Sequence, residues 1–512
     1  MVVKTYGSTV CGVEARMISI EVNIISGTKF FIVGLPDSAI KESEHRIESV
    51  LKQLGKRMPR QRVIVNLAPA GLRKEGSAYD LAIALSILKA SGQESLHELD
   101  GYLIMGELAL DGALRPVRGV LPIAVEGRKH GLKGFILPTQ NAHEAAIVKD
   151  LPVIPVGHIQ EAITFLSGKQ EIKPLFIDTR GLFQEKTNQY AVDISDVKGQ
   201  PFAKRTLEIA AAGGHNMLMV GPPGVGKTML AQRFSTILPP LTLYEALETS
   251  KVYSVVGQLS DVGTLMTRRP FRAPHHTISD VALVGGGSIP QPGEISMAHH
   301  GVLFLDELPE FKRSTLEVLR QPMEDKKIAI TRARMSVVLP ANFMLLASMN
   351  PCPCGYYTHP DRACRCSAVV RKRYLGRVSG PLFDRLDLHC EIGPVRWKDM
   401  DHLPNGDSST AVRGRVCAAR KMQKERFATL PSCYNNAMMP PTLLKKFCRM
   451  DQKSATLLAQ AMERLQLSAR AYGSIRKVAR TIADLAGSDG VLVDHVAEAI
   501  AYRNLDRAQW GE

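Results

Sequence analysis

Residues 221 to 228, Gly221-Pro222-Pro223-Gly224-Val225-Gly226-Lys227-Thr228, follow the spacing G-x-x-x-x-G-K-T. The apolar run Asn216–Val220 precedes them and a helical pattern follows, the setting of a phosphate cradle. Glycines let backbone N–H groups approach an anion, and the N-terminus of the next helix adds its dipole. Lys227 is expected to reach the β- and γ-phosphates of ATP, and Thr228 to bind Mg²⁺. A second apolar run, Gly301-Val-Leu-Phe-Leu, ends in Asp306 and Glu307. Asp306 would hold Mg²⁺ through water, and Glu307 would polarise the attacking water.

A third apolar strand, Phe343–Ala347, leads to Asn350, placed to orient that water; a plain turn asparagine ahead of Pro351 is the competing reading. Further on, Gly380-Pro-Leu-Phe-Asp-Arg385-Leu-Asp387 offers an arginine. It suits a finger that stabilises charge on a transferred phosphoryl group in a neighbouring subunit. A surface pair between Arg385 and Asp387 is the alternative.

Two close cysteine pairs, Cys352-Pro-Cys354 and Cys364-Arg-Cys366, follow Asn350. Four thiolates at once suit one closed, structural Zn²⁺, although C-x-C is a tighter bite than the usual C-x₂₋₄-C. Disulfides and free buried thiols are the rival readings, and His359 could take the place of one sulfur. Nine cysteines, an odd number, without an export signal are expected to be reduced in a cytoplasm.

The 512 residues are too many for one core, so several domains are expected. With 45% hydrophobic and 22% charged residues the chain is neither disordered nor fibrous. No apolar run is long enough to span a bilayer, and no membrane partner is expected. The net charge of +15 favours a polyanion, with nucleic acid ahead of acidic membrane. Residues 326 to 377 hold ten Lys or Arg against Asp361 alone, and 413 to 449 hold nine against Glu425. Lys326 to Val338 alternates as a hairpin, so Lys326, Lys327, Arg332 and Arg334 are the candidate contacts to a DNA backbone. A solvated face is the plainer reading of each cluster.

The elements that must position these residues divide the chain. Residues 1–170 read as an α/β domain, with Ile18 to Ile24 and Lys29 to Val33 as a hairpin and a helix opening at Pro36 and Asp37. Residues 171–192 read as a linker, 193–393 as a second α/β domain, and 394–512 as mostly helical.

These motifs, in this order, resemble the AAA+ ATPases, and within them the branch of magnesium chelatase ATPase subunits and replicative helicases. Phe271-Arg-Ala-Pro-His-His through Glu294 is similar to that branch's helix-2 insert, and the 326–338 hairpin to its pre-sensor hairpin. Ser468-Ala-Arg470-Ala-Tyr-Gly-Ser-Ile-Arg476 is similar to the lid, with Arg470 matching the sensor-2 arginine; Arg476 and Arg480 have no assigned role. Phe31-Ile-Val-Gly-Leu-Pro-Asp37, Asn66 to Gly76 and Gly106 to Gly119 extend the resemblance, over nearly all of the chain, to the ComM/YifB-type magnesium chelatase-like proteins. It implies a Lon-protease-like (ribosomal S5 domain 2-like) N-domain, a central AAA+ P-loop NTPase domain and a C-terminal helical lid. It further implies ATP, Mg²⁺, a homo-hexameric ring, DNA that is single-stranded, forked or branched, and a recombinase partner. The activity implied is a helicase driving branch migration during recombination and integration of transforming single-stranded DNA. A protein-remodelling or chelatase-type ATPase without DNA activity is the alternative. In the Lon-like match, Lys74-Glu-Gly-Ser77-Ala-Tyr-Asp80 displaces the serine and Arg115-Pro-Val-Arg-Gly lacks the lysine. A serine without its base is not activated, so a DNA-binding or assembly platform is expected instead of a protease.

Overall fold

A computed structural model describes residues 2–186, 190–259, 265–287, 290–332, 335–357, 359–395, 406–430, 433–503 and 505. Contacts divide the chain into two units. The first holds Met1–Lys186 together with Leu243–Met266 and Pro290–Pro292; the second holds the rest.

In the first unit the seven-stranded mixed sheet comprises β1 (Val2–Cys11), β2 (Glu14–Ile25), β3 (Phe30–Val33), β4 (Arg62–Ala68), β5 (Tyr102–Ile104), β6 (Gly134–Pro138) and β7 (Val153–Val156). Their order is β3-β4-β2-β1-β5-β6-β7. The hairpin is formed by β1 and β2, not by β2 and β3: β3 pairs in parallel with β4. Gly12, at φ 68°, turns the chain between β1 and β2, whereas α1 (Ser43–Gln53) intervenes between β3 and β4. The sequence reading runs one helix from Asp37, but Ser38–Lys41 and α1 are separate, with Asp37 capping the first through Ile40 N at 2.9 Å. α2 (Asp80–Ala90) is apolar all round and correspondingly buried from Asp80 to Leu88. The helix Leu243–Val256 lies against α3 (Val120–Lys129), with the Ser254 hydroxyl accepting from Leu121 N at 3.3 Å. The expected linker is partly structured: Leu175 bridges to β7, and Thr179 donates to the Ile147 carbonyl at 3.1 Å.

The second unit is built on five parallel strands, β8 (Met217–Val220), β9 (Phe271–Arg272), β10 (Val302–Leu305), β13 (Met344–Met349) and β14 (Leu388–Glu391), in the order β9-β10-β13-β8-β14. A two-stranded hairpin, β11 (Lys327–Arg332) and β12 (Met335–Pro340), stands apart from that sheet. β8 and β10 are buried at every residue, as strands covered on both faces must be. One core joins the sheet to α4 (Pro201–Gly213), α5 (Lys227–Ile237) and the C-terminal helices α8 (Ser409–Arg426), α9 (Gln452–Arg464), α10 (Ala469–Leu485) and α11 (Val493–Ala501). Two shorter helices, α6 (Asp280–Val284) and α7 (Ala368–Leu375), lie between strands in the chain. Ser408, Asp451 and Ser468 start α8, α9 and α10 by accepting from the N–H three residues on. Among the described residues, no helix is long and apolar enough to cross a membrane.

Polar groups bury themselves between sheet and helices only in pairs. Asp387 meets His215 Nδ1 at 3.1 Å and accepts from Ser474 at 2.6 Å, and His215 Nε2 meets Thr481 at 2.8 Å. Asp484 is held by Arg426 and Arg480, and Asn436 donates to Thr481 and Asp484. Burial would raise the Asp387 pKa, but the His215 bond and charge, with the Ser474 hydroxyl, outweigh it and hold it at about 2. A carboxyl depressed on folding contributes stability above its unfolded pKa and loses it as the pH falls through the folded one. The second unit is therefore expected to lose about 2 kcal/mol between pH 4 and pH 2 through this group. Asp387→Asn should flatten that part of a urea-unfolding pH series while lowering stability at pH 7.

Candidate functional site

Parallel register decides which side chains meet. Val220 lies opposite Met349, so Gly221 N donates to the Met349 carbonyl at 3.2 Å and the residues after both strands emerge together. Leu305 lies opposite Ala347, which sets Asp306 beside Ser348, and the Ser348 hydroxyl donates to the Asp306 carboxylate.

The loop 221–226 curls through Gly224 at φ 81° and Gly226 at φ 89°, conformations glycine adopts without penalty, and α5 begins at Lys227. Gly221 has no room for a side chain, since a Cβ would lie 2.3 Å from the Ile392 carbonyl oxygen. Lys227 is 9% exposed. Its ammonium donates to the carbonyls of Gly221 (2.7 Å) and Pro222 (2.9 Å) and to Asn350 Oδ1 (3.1 Å). Burial lowers its pKa, with Asp306 and Glu307 pulling the other way. Thr228 donates to Asp306 Oδ2 at 2.7 Å. The structure thus brings Lys227, Thr228, Asp306 and Asn350 into one bonded cluster. Thr228 and Asp306 offer two oxygens suited to a hard cation such as Mg²⁺. Glu307 adopts φ 54° with its side chain 55% exposed, and His276 Nδ1 stands 3.7 Å from its Oε2.

Two other expected site residues sit together without bonding the loop. Arg385 donates to Glu324 at 2.6 Å and to the Pro381 carbonyl, and Arg470 donates to the same Glu324 oxygen at 3.1 Å. Asp387 is turned into its His215 and Ser474 bonds. Of the basic hairpin, Lys327 and Arg332 are exposed on β11. Lys326 precedes the strand at φ 56°, and burial pushes its pKa down to about 8 against the opposing charge of Asp387. Arg334 lies outside the described residues. Glu324, Ser348 and His276 had no local signal; each is tied to the site by a residue 30 or more positions away.

The four cysteines converge. Sγ of Cys352 is 3.3 Å from that of Cys354 and 3.7 Å from that of Cys364, Cys354 to Cys364 is 3.7 Å, and all four sulfurs lie within 4.8 Å of one another. A tetrahedron of Zn–S bonds of about 2.3 Å has edges of about 3.8 Å, so the set fits the metal. Burial pushes the Cys354 thiol up, but N–H groups of Tyr356 and Arg365 outweigh it and its pKa is lowered, favouring the thiolate a metal needs. His359 accepts from Asp361 N at 3.1 Å. Gly355, at φ 82°, packs the cysteine loop against the phosphate loop, since a Cβ there would lie 2.5 Å from Pro223 Cδ.

Three family models match the chain: "Magnesium chelatase, subunit ChlI" over residues 193–400, "Subunit ChlI of Mg-chelatase" over 20–141, and "Magnesium chelatase, subunit ChlI C-terminal" over 406–503. The uncharacterized protein YifB of Salmonella typhimurium is 44% identical over 97% of this chain and 96% of its own. The chain belongs to the ComM/YifB-type magnesium chelatase-like family. Another member, the competence protein ComM of Haemophilus influenzae, is 42% identical over 98% of this chain and 97% of its own. The magnesium-chelatase 67 kDa subunit of Chlorobaculum parvum is 26% identical over 31% of this chain and 23% of its own, so likeness to the chelatase proper is local.

In this family member the Lys227 ammonium is the cation of an anion cradle. Lys227→Ala is expected to weaken binding of a fluorescent ATP analogue by roughly 30- to 150-fold, the worth of one charged hydrogen-bonding partner. Equal affinity in a fluorescence titration would contradict the cradle.

Proposed function

We propose that the chain is an AAA+ ATPase that works as a homo-hexameric DNA motor, a helicase promoting branch migration during recombination and uptake of single-stranded DNA. The observation carrying the ATPase part is the bonded set Lys227–Asn350 and Thr228–Asp306 around a glycine loop at the ends of parallel strands. In this reading ATP lies on residues 221–228, Mg²⁺ is held by Thr228 and Asp306, and Glu307 polarises water. Glu307→Gln is expected to bind ATP normally and hydrolyse it at less than a hundredth of the wild-type rate.

Arg385 and Arg470, on one carboxylate and unbonded to their own phosphate loop, suit residues that complete a neighbour's site; this supports the ring. In the first unit, Lys74 donates to the carbonyls of Gly34 and Pro69, whereas Ser77 donates to Glu107. A Lon-like fold whose serine and lysine have different partners supports the platform reading over proteolysis.

The DNA part rests on the exposed Lys327 and Arg332 of an isolated hairpin and on the relative whose printed name is a competence protein. Single-stranded DNA should raise ATP turnover several-fold. Lys327→Ala and Arg332→Ala should each flatten the salt dependence of DNA binding by about one unit of slope, at all sequences alike. An ATPase indifferent to DNA would favour a protein-remodelling or chelatase-type role.

We further assign Cys352, Cys354, Cys364 and Cys366 to one structural Zn²⁺. Metal analysis of protein purified without chelator should find about one zinc per chain. Less than a tenth of that, with four thiols titrating in the native protein, would remove the assignment.

A further inference from the structure

His276 is absorbed by none of these roles, yet its ring is placed with care. It follows β9, the edge strand beside β10, where Phe271 and Arg272 pair with Val302 and Leu303. Carried four residues further, that register sets His276 against Glu307, and the pair is made at 3.7 Å. His275 lies 4.0 Å away between ring centroids, and the edge of Phe311 closes on the imidazole at 6.3 Å. Among the described residues, His276 is the one side chain paired with the Glu307 carboxylate.

The sheet order gives this contact a direction. The phosphate loop leaves β8 and Asn350 leaves β13, both on one side of β10; His276 leaves β9, on the other. A carboxylate that activates water must come within about 3 Å of it, on the side where the γ-phosphate would lie. In this structure Glu307 is drawn the opposite way. At 3.7 Å the contact is longer than a hydrogen bond, so it restrains the carboxylate without locking it. The segment carrying His276 is anchored at its ends. Arg272 donates twice to Glu294, at 2.6 and 2.7 Å, and Asp280 at the start of α6 accepts from Thr315.

We propose that His276 is a positioning residue that holds the Glu307 carboxylate on the β9 side of the site, so that movement of residues 273–279 sets the rate of water activation. The inference rests on the ATPase reading above. His276 itself touches no nucleotide in this scheme and acts through Glu307.

Steady-state ATP hydrolysis by the full chain with Mg²⁺ and no DNA tests it. His276→Ala should raise kcat by roughly 2- to 5-fold, the scale of one part-exposed ion pair, and leave KM for ATP within two-fold because the Lys227 cradle is untouched. His276→Gln, which keeps a side-chain donor, should return kcat toward wild type. His276→Ala combined with Glu307→Gln should be no faster than Glu307→Gln alone, because the gain passes through the carboxylate. An unchanged or lower kcat in His276→Ala, a KM that moves with kcat, or a Gln variant indistinguishable from Ala would each overturn the role. Wild-type protein that hydrolyses no ATP would overturn the nucleotide reading instead, whereas active wild type with an unaltered Ala variant overturns this inference alone.

Discussion

The ammonium of Lys227 is almost entirely withdrawn from water, and the nucleotide end of the second unit is organised around that charge. A buried charge without partners costs far more than a folded chain can spare. Here the partners are two carbonyls of its own loop and one amide oxygen from a neighbouring strand. Meeting that demand forces the loop to curl, which requires positive φ at Gly224 and Gly226 and no side chain at Gly221. It also forces β13 to lie directly beside β8, because Asn350 must arrive level with the loop. An arriving triphosphate would take over the carbonyls' role with full charges in place of dipoles.

A second constraint lies deeper. Asp387 and Asp484 are buried acids whose partners come from strand, loop and C-terminal helices alike. Removing one member would leave an uncompensated group in a medium where that is expensive. The loop that carries Arg385 is therefore fastened two residues later to α10 through Ser474, and Arg470 starts that same helix. The shared Glu324 and this fastening make the two arginines members of one rigid patch.

What could be read from the chain alone follows from how local each requirement is. A phosphate loop must be contiguous, so residues 221–228 declare themselves, and the buried strands before Asp306 and Asn350 show as apolar runs because both faces are covered. The C-terminal helices showed by period, although Arg470 fell inside a helix that starts at Ala469 and not at Arg476. Long-range facts left no such trace. Glu324 meets Arg385 across 61 residues and Arg470 across 146. Val2–Cys11 was missed as a strand because its apolar residues alternate with glycine, serine and threonine. Leu243–Met266 groups with the first unit although its sequence neighbours do not. The direction of Lys326, toward Asp387 and away from the hairpin's exposed strand, depends on one left-handed residue that no periodicity announces.

Glu307 is another such residue. With its backbone at φ 54° and ψ 48°, it occupies the left-handed region that an L-amino acid with a Cβ enters at a cost of about 1 to 2 kcal/mol. The turn that follows β10 imposes this conformation, and glycine would meet it without penalty. A glycine there would make the fold more stable and leave no carboxylate at the strand's end. The residue is a place where stability and chemistry ask for different side chains, and the chain carries the strained one.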